Sequence, residues 1–158
     1  MDAKTHNIKF VCPLITVADI KRSRNFYENV LGQTVEADYG ENVSFGGFAI
    51  HLRPHFKMLI DNKEVADNGN NFELYFECDD IEQICENLKN EKIEFIHKLR
   101  EQPWKQLVVR IYDPDKNIVE IGETLERLIY RLYQQNHSSD DISIMTGLDK
   151  TFIERLKA

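Results

Sequence analysis

The chain has 158 residues, 42% of them hydrophobic and 30% charged, with a formal net charge of −7. That length suits one domain whose core needs no disulfide staples, and the acidic balance argues against a nucleic-acid partner. No apolar run approaches the ~20 residues of a membrane span, so no membrane partner is expected, and the polar start MDAKTHNIKF does not read as a secretory signal.

Three cysteines, Cys12, Cys78 and Cys85, form no CxxC spacing, and their odd number argues against a disulfide framework. A reducing, cytoplasmic setting is expected. From Ile8 the segment KFVCPLITV is strand-like. Asp19 can cap a helix over IKRSRNFYENVL, where Ile20, Phe26, Tyr27, Val30 and Leu31 share a face. Gly32 then ends that helix. QTVEAD, ENVSF and GFAIHL follow as short strands separated by turn residues, so the first module reads βαβββ over about 8–54. A polar connection is expected over 55–70.

The pattern then repeats over 71–123. NFELYFEC reads as a strand, and Asp80 precedes a helix with Gln83 at capping-box spacing. KIEFIHKL, KQLVVRIY and NIVEIGE complete a second βαβββ. Asp19 and Asp80 lie 61 residues apart, and the two helices align without a gap. The expected fold is α+β, a 1–123 domain of two βαβββ modules. The remaining 124–158 reads as a helical appendage. TLERLIYRLYQQN is amphipathic, and two shorter helices follow, capped by Ser139 or Asp140 and by Asp149. The pair resembles a helix-turn-helix, but Asp140, Asp141, Asp149 and Glu154 outweigh Lys150, Arg155 and Lys157. A docking or dimerisation role is expected there instead of DNA contact.

FVCPLITVADIKRSRNFYENVLG resembles the opening of the vicinal oxygen chelate superfamily, and DPDKNIVEIGE (113–123) resembles its closing signature. This resemblance to glyoxalases, bleomycin-resistance proteins and extradiol dioxygenases covers about 8–123. It implies that the two modules curve into an open barrel around a small-molecule cavity, often completed in a homodimer. In metal-dependent members of the superfamily the ligands sit on four strands, the first about seven residues before the capping Asp. That implies Cys12 and its counterpart Glu73, with Glu120 of the closing motif and its counterpart on the last strand of the first module, His51 of AIHL, as the other two.

Period-two alternation places Cys12, His51, Glu73 and Glu120 away from the apolar, helix-packed faces of their strands. If 113–117 form a hairpin loop, Arg110 falls opposite Glu120 and neutralises it without any metal. Taken singly, Cys12 suits a buried small hydrophobe and each glutamate a plain salt bridge. The pair of histidines in HLRPH, His51 and His55, is expected to share no helical face because Pro54 interrupts it. Two readings follow. In one, a metal-dependent lyase or isomerase holds a divalent Zn, Ni, Mn or Fe ion on the four residues, with Glu73 or Glu120 moving the proton. In the other, a metal-free protein of bleomycin-resistance type binds a small molecule with Arg110 and His51 as polar contacts and Tyr75 or Trp104 as stacking surfaces.

Overall fold

The computed structural model describes residues 8–67 and 69–156. The chain divides into two compact units, Met1–Asp67 and Asn68–Ala158. In the first, strand β1 (Leu14–Val17) leads to helix α1 (Ile20–Asn25), which continues as a π-helical turn over Phe26–Val30. Asp19 caps α1 by accepting a hydrogen bond from the Arg22 amide at 2.9 Å. Gly32 follows with φ of +65°, a conformation that disfavours any residue with a Cβ. Strands β2 (Ala37–Asp38), β3 (Asn42–Ser44) and β4 (Ala49–Leu52) complete a sheet of order β1-β4-β3-β2. The β1–β4 pair is parallel and the others antiparallel. Phe26 and Tyr27 are buried there, the Tyr27 ring packing against Phe26, Phe45 and Phe48, with Val17, Val43 and Ile50 also in the core.

The expected polar connection after β4 is partly wrong. Helix α2 (Arg53–Leu59) starts at once, with Pro54 in its first turn. A proline there removes no helical hydrogen bond, because the first amides have no intrahelical acceptor, and its fixed φ suits the helix. Reading Pro54 only as an interruption missed this.

The second unit repeats the topology. Strand β5 (Glu73–Cys78), helix α3 (Ile81–Asn90) and strands β6 (Phe95–Glu101), β7 (Leu107–Tyr112) and β8 (Ile118–Glu123) form a sheet of order β5-β8-β7-β6. Asp80 accepts from the Gln83 amide at 3.0 Å. Only this half of the expected capping box forms, since the Gln83 side chain turns forward to Asn87. The fold is thus α+β, two four-stranded mixed sheets of βαβββ order with helices after the last strand.

The appendage comprises α4 (Leu125–Gln134), α5 (Ser139–Thr146) and α6 (Lys150–Arg155), and it belongs to the second unit. Leu128, Ile129, Leu132, Ile142 and Ile153 form its own buried cluster, with Tyr133, Met145 and Phe152 packed against it. The cap of α5 is Ser138, reciprocally bonded with Asp141 in a capping box, and not Ser139 or Asp140. In the run SSDD several residues can cap, and the reciprocal Asp141 bond selects the first. Asp149 caps α6 as expected. No helix among the described residues is long and apolar enough to cross a membrane.

Candidate functional site

On the second sheet, Tyr75, Glu120 and Arg110 form one row across β5, β8 and β7. The hairpin after β7 sets this register. Asp113, buried in the turn, accepts from the amides of Asp115 and Asn117 at 2.8 Å each and from Asn117 Nδ2 at 2.9 Å. That clamp keeps the loop at 113–117, so Tyr112 pairs with Ile118 and Arg110 with Glu120, as the sequence predicts. Glu120 is 5% exposed. A carboxylate so buried is costly unless it is paired, and Arg110 Nη2 meets its Oε2 as an ion pair. The same guanidinium reaches Glu73 Oε2 through Nε at 3.0 Å and lies 3.3 Å from His97 Nε2 through Nη1.

Glu73 and Glu120 therefore share one internal cation. Arginine is always protonated, so its charge stands permanently where a divalent ion would need both carboxylates. Within neither unit do three His, Cys, Asp or Glu side chains of the described residues gather to hold a metal ion. In this unit the donor set does not fit a metal.

Beside this row, Gly122 supports a chain of polar contacts. Gln106 Nε2 donates to Tyr75 Oη at 2.8 Å and to the Glu123 carbonyl at 2.7 Å, while Trp104 Nε1 donates to Gln106 Oε1 at 3.0 Å. Tyr75 in turn donates to Glu77 Oε1 at 2.7 Å. A Cβ on Gly122 would lie 2.8 Å from Gln106 Nε2 and 3.1 Å from Tyr75 Oη, so any larger residue would push the Gln106 amide out of this position. Burial, then the bond to Glu77, pushes the Tyr75 phenol up to about 12, so it stays protonated at neutral pH. Tyr75 and Trp104 are nonetheless 49% and 41% exposed. Gln106 is missed by sequence reasoning, although the glycine within IVEIGE is a signal that another group approaches the strand.

In the first unit, Cys12 is half-buried and precedes β1 by two residues. His51 pairs with Thr16, four residues further along, an axial offset of ~13 Å for extended chain. Cys12 is therefore not across from His51. The partners of His51 are Asn42 Nδ2, 3.1 Å from its Nδ1, and His55 Nδ1, 2.7 Å from its Nε2. Since Asn42 Nδ2 only donates, the consistent assignment has His51 accept at Nδ1 and donate from Nε2 to His55. The two histidines share no helical face, His51 lying on β4 and His55 on α2, yet they meet because the strand-to-helix turn at Arg53 folds His55 back onto β4. Burial and then the neighbouring His55 hold His51 below the usual histidine range, against a smaller opposing effect of Glu41.

The expected equivalence of His51 with Glu120 also fails. The caps keep the 61-residue offset, which equates Leu14 with Tyr75 and Thr16 with Glu77. Leu14 pairs with Ala49 and Tyr75 with Glu120, whereas Thr16 pairs with His51 and Glu77 with Gly122. Glu120 thus corresponds to Ala49, and His51 to Gly122. The two modules differ by one side-chain step along the last strand. A separate cleft of about 380 Å³ lies beside α2, but its charges are already matched, Arg53 with Asp67 at 2.9 Å and Lys57 with Glu64 at 3.0 Å.

A family model described as a glyoxalase-like domain matches residues 10–126. A protein of unknown function from Agrobacterium tumefaciens str. C58 is 36% identical, with 77% of this chain and 98% of that chain covered and a TM-score of 0.69. A glyoxalase-related enzyme from Fulvimarina pelagi (17% identity, 73% and 88% covered, TM-score 0.64) shares the fold. So does a lactoylglutathione lyase from Agrobacterium tumefaciens (19%, 73% and 92%, TM-score 0.58). No curated protein matches the chain. The matched model spans both βαβββ modules, and on that ground the chain belongs to the glyoxalase-like domain family of the vicinal oxygen chelate superfamily.

Proposed function

We propose that this protein binds an organic small molecule on the polar face of its second sheet, without a metal ion at Glu73 and Glu120. This is the sequestering reading, of bleomycin-resistance type. The observation that carries it is the Arg110 guanidinium lying between those two carboxylates. Arg110 meets one oxygen of each acid, so the protein itself already compensates the charge of both carboxylates. Half-exposed Tyr75 and Trp104 offer apolar surface to a flat ligand. Exposed Glu73 and Glu77 on the same strand face offer acceptors for its donor groups. Counting Glu73, Glu77 and Glu120 against Arg110 and Arg100, which the register sets beside Val108 on that face, the face carries one more negative than positive charge, which favours a ligand with cationic character.

Elemental analysis of protein purified without added metal, followed by calorimetric titration with Zn(II), Ni(II), Mn(II) and Fe(II), tests this. We expect no stoichiometric metal and no binding tighter than about 100 μM. One bound ion per chain, lost in Glu120→Gln, would refute the metal-free reading.

A further inference from the structure

Beyond the last residue matched by the family model, Glu126, helix α4 sends one side chain back to the end of β8 and to the β6–β7 turn. Arg131 forks onto Glu123, with Nη2 2.6 Å from Oε1 and Nε 3.2 Å from Oε2. Glu123 is fully buried and also accepts from the Leu107 amide at 2.8 Å. The same guanidinium donates to the Lys105 carbonyl at 2.5 Å and from Nη1 to Glu101 Oε2 at 3.3 Å. Lys105 and Glu101 flank the turn between β6 and β7 that carries Trp104, and Lys105 itself sits at φ +73°. That turn is closed by the Gln102 amide on the Gln106 carbonyl and by the Lys105 amide on the Gln102 carbonyl, both at 2.8 Å. Gln106, next along, holds Trp104 through one end of its amide and Tyr75 through the other.

We infer that Arg131 is a positioning residue: the C-terminal appendage fixes the β6–β7 turn, and thereby the spacing of Trp104 and Tyr75 that a flat ligand meets. This rests on the binding reading above. A guanidinium is suited to the task because its planar fork makes four bonds, to both Glu123 oxygens, the Lys105 carbonyl and Glu101, whereas an ammonium has three donors on one atom. Arg131 has no ligand contact to make; it acts through the turn.

Trp104 is the only tryptophan, so its fluorescence reports the turn directly, with no ligand required. Arg131→Lys keeps a charge beside Glu123 but loses the fork. The double variant Arg131→Met with Glu123→Gln removes both buried charges together, which guards against a variant that fails to fold. In each, acrylamide quenching of Trp104 should rise about twofold or more while the far-ultraviolet helix signal stays unchanged. Arg127→Ala removes the exposed pair of α4 with Glu82 and should leave quenching as it is. If Arg131 only neutralised Glu123, Arg131→Lys would leave Trp104 undisturbed, and that result overturns the inference. The flat cationic dye thioflavin T supplies the second readout, and its affinity should fall about fivefold in Arg131→Lys because the surface is no longer preorganised. A dye that fails to bind the unaltered protein, with the quenching effect intact, would count against the binding reading and leave the clamp standing.

Discussion

The two units share strand order, helix caps and the parallel pairing of first strand with last, yet they fill equivalent positions with opposite chemistry. In the first, the row of Leu14 and Ala49 is apolar, and polarity enters one step later with His51, which is closed off by Asn42 and His55. In the second, Tyr75 and Glu120 occupy that row, and Arg110 ties the buried acid to Glu73. Both last strands run into a helix. In the first unit that turn folds one imidazole ring onto another. In the second it brings Arg131 onto a buried carboxylate. A duplicated scaffold thus dictates where side chains can meet, while single residues decide whether the meeting is neutral or ionic.

Removing charge from the second unit should separate the two most. Glu123→Gln leaves the Arg131 guanidinium without its principal partner in a largely dry setting, and we expect a loss of about 3 kcal/mol in urea unfolding. A loss below about 1 kcal/mol would mean that the pair behaves as a solvated surface bridge. Next comes Arg110→Met. Arg110 and Glu73 are partly exposed, so the cost of stranding Glu120 should be smaller, about 2 kcal/mol. Adding Glu120→Gln should return part of it, and a double-mutant cycle without coupling would contradict the ion pair.

The first unit should respond to pH instead. Because burial and His55 lower His51 in the folded state, the unfolded chain takes up its proton first as pH falls. Stability is therefore full above the ordinary histidine value of about 6.5 and declines below it until folded His51 also protonates. Urea midpoints between pH 7.5 and 5 should fall in the unaltered protein and flatten in His51→Asn. Equal slopes in the two would remove His51 as the cause. The smallest effect concerns the turns before the last strands. The β3–β4 turn uses Gly46 at φ +82°, whereas the β7–β8 turn puts Lys116 at +65°. Lys116→Gly relieves that conformation but frees the unfolded chain and loses an exposed pair with Glu94, for a net gain of about 0.5 kcal/mol. A net loss would show that the Lys116 contacts with Glu94 and the Tyr112 ring together outweigh backbone strain.

Features set by neighbours in sequence were legible without coordinates. The caps at Asp19 and Asp80 depend on amides three residues away, alternation depends on the extended backbone alone, and the loop at 113–117 determines that Arg110 faces Glu120. Local geometry suffices for each, so the paired modules and the ion pair at Glu120 followed from residue order. Three features needed the folded chain. Pairing of β1 with β4, and of β5 with β8, joins segments some 35 to 45 residues apart, and no local rule sets that register; hence His51 was equated with Glu120 when it corresponds to Gly122. The His51–His55 contact depends on a helix starting at Arg53 just after a strand, where the strand pattern and Pro54 both pointed elsewhere. The grip of Arg131 on Glu123, Lys105 and Glu101 joins three stretches of the second unit, and in the sequence Arg131 is one more charge on an amphipathic helix. What tertiary structure alone decided was which charges lose their water on folding, because desolvation depends on everything packed around a group and not on its neighbours in the chain.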